Sequence, residues 1–389
     1  MLGLASTITT AVTKSVRHYN NWSVDFDGTD DVVNFGNVHN LGDTTDFSIS
    51  VWFKRDNSGT HYLLGKEQDA DNRWRLYTGS DESITFEAST SRTKRIDYES
   101  SATEIADNTT DWNHILIAVD RSDASNSGMW VNGAAVTLAT ETESGIAVDL
   151  DNTGDFTIGG IGSNFANGQI SDVSIWNVGM GASFLNTVAD LRDGTTGVGN
   201  ATPADLKGKS GLVSWYRLGD NRIDSYPLIS DGTLSALGSE CIANGDFTGD
   251  ASLWNQTDAK WSIDETNDYA SYADGANGYL RQTDGNNLVS IAASKTYKIK
   301  FTISDGSSNA RVHLYSNNLS QVLKAEATYA DGTHTIYATS PSDYSGGFTV
   351  AGKSAGGTFN ITNISVKEVL GKPGIMTDMT SADIVQSAP

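Results

Sequence analysis

The motifs that concentrate catalysis in a short stretch are missing from this chain. It carries no Ser/His/Asp arrangement, no zinc H-E-x-x-H and no phosphate-cradling glycine loop, and its 6 histidines are dispersed without metal-ligand spacing. Glu67, Asp69 and Asp71 alternate in KEQDADNR, but Asn72 and the lack of bulky flanks read as a loop. Cys241 is the single cysteine, so no intrachain disulfide can form; SECIANGDF reads as a strand entering a turn rather than the seat of a nucleophile. What remains is the chemistry of recognition. Arg311, His313 and Tyr315 alternate with Val312 and Leu314 and so share one strand face. Tyr337 lies opposite Ile336, and Trp254, Trp261 and Tyr279 fall in or near loops. Aromatic faces stack on sugar rings while a few polar groups fix hydroxyls, which makes this set the candidate carbohydrate-binding residues. For each of them the alternative is packing at a core edge.

The elements that must position these residues are strands. WSVDFDGTDDVVNFG, Trp22 to Gly36, reads as strand, acidic turn and strand, a hairpin with Val24 and Phe26 answered by Val33 and Phe35. FSISVWFKR places Phe47, Ile49, Val51 and Phe53 on one side and Ser48, Ser50, Trp52 and Lys54 on the other, as a half-buried strand should. WNHILIAVDR comes next, then MWVNGAAV with Asn132-Gly133 as a hairpin signal, then DFTIGGIG and GQISDVSIWN. One helix is expected, in MGASFLNTVADLRDGT, where Phe184, Leu185, Val188 and Leu191 keep helical spacing and Gly194 can stop it. A fresh β series begins near IANGDF and runs through KTYKIKFTIS, ARVHLYSN, HTIYATS, GGFTVAGKS and TFNITNISVKEV. Met1 to Val16 has no acidic residue, and reads either as an amphipathic arm or as a leader without structure.

A length of 389 residues accommodates two or three domains. Hydrophobic residues at 38%, with 39 Gly against 5 Pro, fit a β-protein with many polar turns. The formal charge of −22 repels phosphate backbones and anionic membranes, which argues against nucleic-acid partners. No run approaches 18 apolar residues, and the N-terminus lacks a secretory pattern.

The ordered series DFDGTDDVVNFG, FSISVWFK, WNHILIAVDR, MWVNG, FTIGG and GQISDVSIWN, over roughly Trp22 to Leu191, resembles the laminin-G-like members of the concanavalin A-like jelly-roll family. LVSWYRLGD and DGTLSA resemble the segment C-terminal to that domain in surface proteins predicted from marine tailed bacteriophages. NGDF, YKIKFTIS and FNITNISVKEV, within about Glu240 to Leu370, resemble the jelly-roll carbohydrate-binding modules that accompany glycan-degrading enzymes. The resemblance implies an all-β chain of two antiparallel jelly-roll sandwiches: an arm at 1–21, a first unit at 22–238, an inserted unit at 239–370 and a segment at 371–389 returning to the first. It further implies a structural calcium joining Asp27 to Asp172, the alternative being that Asp27 caps its own turn through its side chain. The family's E-x-D-x-x-E glucanase spacing is absent, so the expected role is non-enzymatic: a head-decoration or fibre protein on a phage virion, assembled in the host cytoplasm. Its partners would be other virion proteins of capsid, neck or tail, further copies of itself, three in a trimer, and a cell-surface glycan. A bacterial carbohydrate-binding or adhesin protein is the alternative, and a glycoside hydrolase ranks last.

Overall fold

The computed structural model describes residues 20–42, 44–91, 93–105, 111–142, 148–179, 191–194, 197, 199, 201–220, 226–233, 237–249, 251–256, 259–273, 275–282, 290–306, 310–316, 319–344, 346–353 and 357–389. Met1 to Val16 and nearly all of the expected helix lie outside them. At the described end of that helix, Arg192–Gly194 forms a short antiparallel ladder with Ala201–Pro203, so Gly194 sits in a strand instead of stopping a helix.

The fold is all-β and antiparallel, built as two sandwiches. In the first, sheet I has eight strands centred on Phe47–Arg55 and Asn167–Trp176, and sheet II has nine, from Leu138–Thr142 at one edge to Leu228–Ile229 at the other. Ile49, Val51 and Phe53 of sheet I meet Trp74, Leu76 and Phe86 of sheet II in one buried core. Asn132 and Gly133, both at positive φ, close the two-residue turn between Gly128–Val131 and Ala134–Ala135, as their sequence demands.

Two local readings change. Ser23–Asp27 and Val32–Asn34 are not a hairpin: the first pairs with Asn167–Trp176 in sheet I, the second with Asp155–Ile158 in sheet II. The acidic turn carries the chain from one sheet to the other, so Val24, Phe26, Val33 and Phe35 enter the same core from opposite sides. Nor is Phe47–Arg55 half-exposed. Ser48 and Ser50 are buried as well, because a further layer built on Leu191, Leu206 and Trp215 packs with Leu116, Ala118 and Trp176 on the outside of sheet I.

The second sandwich faces a six-stranded sheet III, with Thr296–Ser304 and Phe359–Val369 at its centre, against a five-stranded sheet IV. Its own core holds Phe301, Ile303, Val312, Leu314 and Val350. The chain leaves and re-enters the first sandwich side by side: Leu228 pairs with Ile375 there, and Leu237 pairs with Val369 in sheet III. Beyond this ribbon, Gly374–Thr377 pairs with Val32–Asn34 in sheet II, and Ile384–Val385 with Ser23–Asp27 in sheet I. Among the described residues no helix is long and apolar enough to cross a membrane.

Candidate functional site

The outer face of sheet IV gathers Tyr279, Arg311, His313 and Tyr315. Their strands, Gly278–Gln282 and Ala310–Tyr315, flank Phe348–Gly352 on either side. Register makes two rows across that central strand. Tyr279, Ala351 and His313 form one; Arg281, Thr349 and Tyr315 form the next. Because Ala351 and Thr349 are small and fully buried, the larger side chains on both flanks stand above a low centre. Alternate residues Leu280, Leu314 and Val350 anchor the same strands in the core, which fixes the face by the two-residue period.

The face is charged and aromatic together. Arg281 lies over the Tyr279 ring, 5.4 Å from its centroid. His313 and Tyr315 stack with centroids 3.8 Å apart, and the Tyr315 hydroxyl is 2.6 Å from His313 Nδ1. Burial, then the nearby Lys353 charge, pushes the His313 pKa down, against the pull of Glu326. Arg311 pairs with Glu326 of the neighbouring strand, and Lys353 Nζ approaches the same carboxylate at 3.9 Å. Such a surface offers rings for stacking on a sugar and guanidinium, phenol and ammonium donors for its hydroxyls.

The remaining sequence-predicted sugar contacts are not on this face. Trp254 and Trp261 are 3% exposed and belong to the core, Trp254 donating to Asn244 O at 2.9 Å and Trp261 meeting Phe359 edge-on. Neither ring presents a face to solvent, so neither stacks on a sugar. Tyr337 is in sheet III and is buried with Leu228, Val369 and Ile375 where the sandwiches meet. Tyr279 is in a strand rather than a loop. Sequence reasoning missed Arg281, Glu326 and Lys353, which join the face only through the pairing of separate strands.

Asp27 and Asp172 do not share an ion. Asp27 pairs with Asn167, five positions before Asp172 on the same strand, a separation of roughly 16 Å along a strand. Asp172 is 3% exposed, at positive φ, with both oxygens occupied. Trp215 Nε1 donates to one at 3.0 Å; Ser171 Oγ and Asn20 Nδ2 donate to the other at 2.9 and 3.3 Å. Burial raises its pKa, and Arg217 is the principal group working against that. It is an internal anchor, and Asn20, placed by sequence in the arm, is part of it. At the other end, Asp27, Asp30 and Asp31 hold carboxylate oxygens within 4.8 Å of one another. An oxygen-seeking cation such as calcium suits that trio, not Asp172.

The outer face of sheet II holds another cluster that the sequence reading passed over, although Arg73, Arg75 and Tyr77 alternate with Trp74 and Leu76 in NRWRLYT. Tyr62 and Tyr77 stack at 4.9 Å and 14°, with Arg75 over both. Glu87, 2% exposed, accepts from Arg73 Nε at 2.9 Å and forms an ion pair with Arg75, whose Nε lies 2.8 Å away. KEQDADNR is the tip of the hairpin between His61–Asp69 and Asn72–Thr78, with Asp69 Oδ1 accepting from the Asp71 and Asn72 amides, both at 2.9 Å. Two guanidiniums on one carboxylate, and turn amides on another, use these oxygens for structure.

Residues 27–183 match the family model of the concanavalin A-like lectin/glucanases superfamily. No curated protein matches the chain in sequence. Among solved structures, the chain is similar to the heptameric SAP-like pentraxin of Limulus polyphemus (16% identity, 42% of this chain, 80% of that one, TM-score 0.32). It is also similar to mouse laminin α1 domains LG4-5 (10%, 96% and 86%, TM-score 0.31). A third is the Ruminococcus gnavus IT-sialidase CBM40 bound to α2,3-sialyllactose (12%, 41% and 91%, TM-score 0.30).

Proposed function

From a first sandwich that carries a concanavalin A-like jelly-roll domain over residues 27–183, we propose that the chain is a non-catalytic glycan-binding protein whose sugar contacts lie on the outer face of sheet IV. One observation carries the reading: Tyr279, Arg281, His313 and Tyr315 converge from separate strands on a single half-buried outer face. A sugar ring lying along the two rows gains stacking on the tyrosines and hydrogen bonds from Arg281 and Arg311. The carboxylates near aromatic groups on sheet II are tied to arginines, so the two-carboxylate division of labour that glycoside hydrolysis needs has no place there.

The setting is the one that the sequence resemblance implies. The first sandwich with its extension (22–238) and the returning segment (371–389) form the attachment unit on the virion surface of a tailed phage, as head decoration or fibre, and the insert (239–370) is the displayed glycan reader. The 1–21 segment is assigned to anchoring against virion partners, and copies around a symmetry axis multiply weak sugar contacts.

The test of the binding reading is a screen of neutral and acidic oligosaccharides, followed by titration of Tyr279→Ala and Tyr315→Ala. Each substitution is expected to weaken binding about tenfold, the scale of one lost aromatic contact, with unchanged melting temperature. Saturable binding that both variants retain in full would move the site elsewhere. Labelling intact particles with an antibody to residues 239–370 tests the virion setting, and unlabelled particles would refute it.

A further inference from the structure

A cleft of about 980 Å³ opens where the two sandwiches meet. One wall is first-sandwich backbone and side chains around Asn34, Asn37 and Asp155; the other comes from Thr296, Lys324 and Thr339 of the second; the returning linker with Lys372 runs beneath. The walls are held by more than one tether. The chain crosses between the units twice, between the Leu228–Ile375 pair of sheet II and the Leu237–Val369 pair of sheet III, and Leu228, Tyr337, Val369 and Ile375 pack together beside the opening.

The charge of this cleft runs against that of the chain. Its lining carries Lys295, Lys324 and Lys372 against a single carboxylate, Asp155, although the whole chain is at −22. Asp155 is already engaged by Asn34 Nδ2 at 3.0 Å, and Lys295 by Glu368 at 3.3 Å. Among the described residues, no carboxylate forms an ion pair with Lys324 or Lys372. Lys372 is only partly exposed, and its burial lowers its pKa, with distant Asp231 the one opposing influence. A half-buried ammonium gains most from an anion that fills its side of the cleft. The rest of the lining is hydroxyl and amide: Asn34, Asn37, Thr296, Thr339, Ser340 and Ser342. Neither a glycine loop nor a helix N-terminus is present in the lining to cradle a phosphate. The complement of two cations among many hydroxyl and amide partners is a polyhydroxylated anion.

We infer that the cleft between the sandwiches is a second saccharide site, selective for acidic sugars, in which Lys324 and Lys372 bind the carboxylate or sulfate of the ligand. It depends on the glycan-binding reading only for the class of ligand; Lys324 lies in the edge strand of sheet IV, but the cleft shares no residue with the Tyr279, Arg281, Arg311, His313 and Tyr315 set. The two sources of negative charge, uronate and sulfate ester, are distinguished by the probes.

The full chain is titrated calorimetrically with an oligogalacturonate, a sulfated dextran oligosaccharide and a neutral laminari-oligosaccharide. Lys324→Gln/Lys372→Gln is expected to weaken at least one acidic probe by about tenfold or more, since a hydrogen bond to a charged group is worth that much, while leaving the neutral probe unchanged. Tyr279→Ala should leave the cleft's acidic probe unchanged. Wild-type affinity for that probe should also fall as salt is raised from about 50 to about 300 mM, roughly the range over which screening sets in. Lys324→Gln alone, at a position in an exposed strand, and Lys372→Arg, which keeps the charge, secure the result should the double variant unfold: the first must weaken and the second retain binding. Failure of both acidic probes to saturate, or equal affinity in the lysine variants, overturns the inference. Loss of neutral binding alone in Tyr279→Ala would leave it standing and bear only on sheet IV.

Discussion

The two sandwiches spend their polar residues in opposite ways. The first buries charge throughout: Arg55 and Lys66 are 0% exposed, and Asp172, Arg217 and Asp220 are buried as well. In the second, the buried polar side chains among the described residues are Gln282, Thr296, Ser316, Ser340 and Thr349, none of them charged. Its described arginines and lysines stand outside, on sheets III and IV, in loops and around the cleft. Buried ions must be matched by partners wherever they sit, so the first unit consumes its charged groups in holding strands, turns and the extra layer together. Those of the second stay on the surface, within reach of a ligand. That difference is what the proposed function, with one unit as scaffold and the other as reader, calls for.

The sharpest way to break the comparison is to remove Arg55. Its guanidinium donates to Asn57 O at 2.9 Å, Gly59 O at 2.8 Å, Gly79 O at 3.1 Å and Ile105 O at 3.4 Å, gathering three loops at one end of the first sandwich. Arg55→Ala strands several carbonyls at once and should cost about 3–5 kcal/mol. The matching change in the second unit is Gln282→Ala, which removes a bond from Nε2 to Ala243 O at 2.6 Å and one from Ala243 N to Oε1 at 2.8 Å; it should cost about 1–3 kcal/mol. Urea denaturation of both variants measures the two costs. Equal losses would mean that buried charge does not set the first sandwich apart.

Acid should separate the units next. His114 is buried with Nε2 2.7 Å from Ser50 Oγ, and burial lowers its pKa to about 3. His39, 2.7 Å from the Tyr216 hydroxyl, is lowered in the same direction by burial. Between 6.5 and the folded value the unfolded chain binds a proton that the folded chain refuses, so stability is full above pH 6.5 and falls as pH drops toward 3. Asp31, raised by burial to about 6, opposes this over the upper part of that range, since its protonation relieves a buried charge. The decisive measurement is therefore a difference: His114→Asn should flatten the fall in melting temperature from pH 6.5 downward, and an unchanged slope would exclude the buried histidines as its cause.

What could be read from sequence was which side of a strand faces the core. Alternation located Phe47–Arg55, Thr296–Ser304 and Phe359–Val369, and it put Arg311, His313 and Tyr315 on one surface. It could not say which strands are neighbours. Val24 and Phe26 followed by Val33 and Phe35 give the same pattern in a hairpin and in a crossing between sheets, because only the hydrogen-bond partners differ. For the same reason Tyr279 and Arg281 were not connected to His313 and Tyr315: the link is the register of Phe348–Gly352 between them. Trp254 and Trp261 failed differently. A tryptophan in a polar stretch reads as exposed, yet a large ring is drawn into any core it can reach, and reach is set by distant strands. Tyr337 was placed on the correct side of its strand, but the first sandwich covers it.

The smallest expected effect sharpens the contrast within the first sandwich itself, between aspartates at two ends of one strand pair. Asp172 is saturated by Trp215, Ser171 and Asn20, whereas the exposed Asp27 and Asp30 and the buried Asp31 crowd their oxygens at the other end, where the Asp31 carboxylate also accepts from the Asp27 amide at 3.0 Å. A cation that binds there only in the folded state raises stability with its concentration by mass action, about 2.7 kcal/mol at one hundred times the dissociation constant. For a weak surface site in millimolar calcium the expected gain is smaller, on the order of 1 kcal/mol or a few degrees in melting temperature. Asp31→Asn should abolish the calcium response. Asp172→Asn should lower the melting temperature outright and leave the calcium increment intact, because its oxygens answer to the protein alone. A calcium response that disappears with Asp172→Asn and survives Asp31→Asn would return the ion to the buried end and reverse the assignment of the two sites.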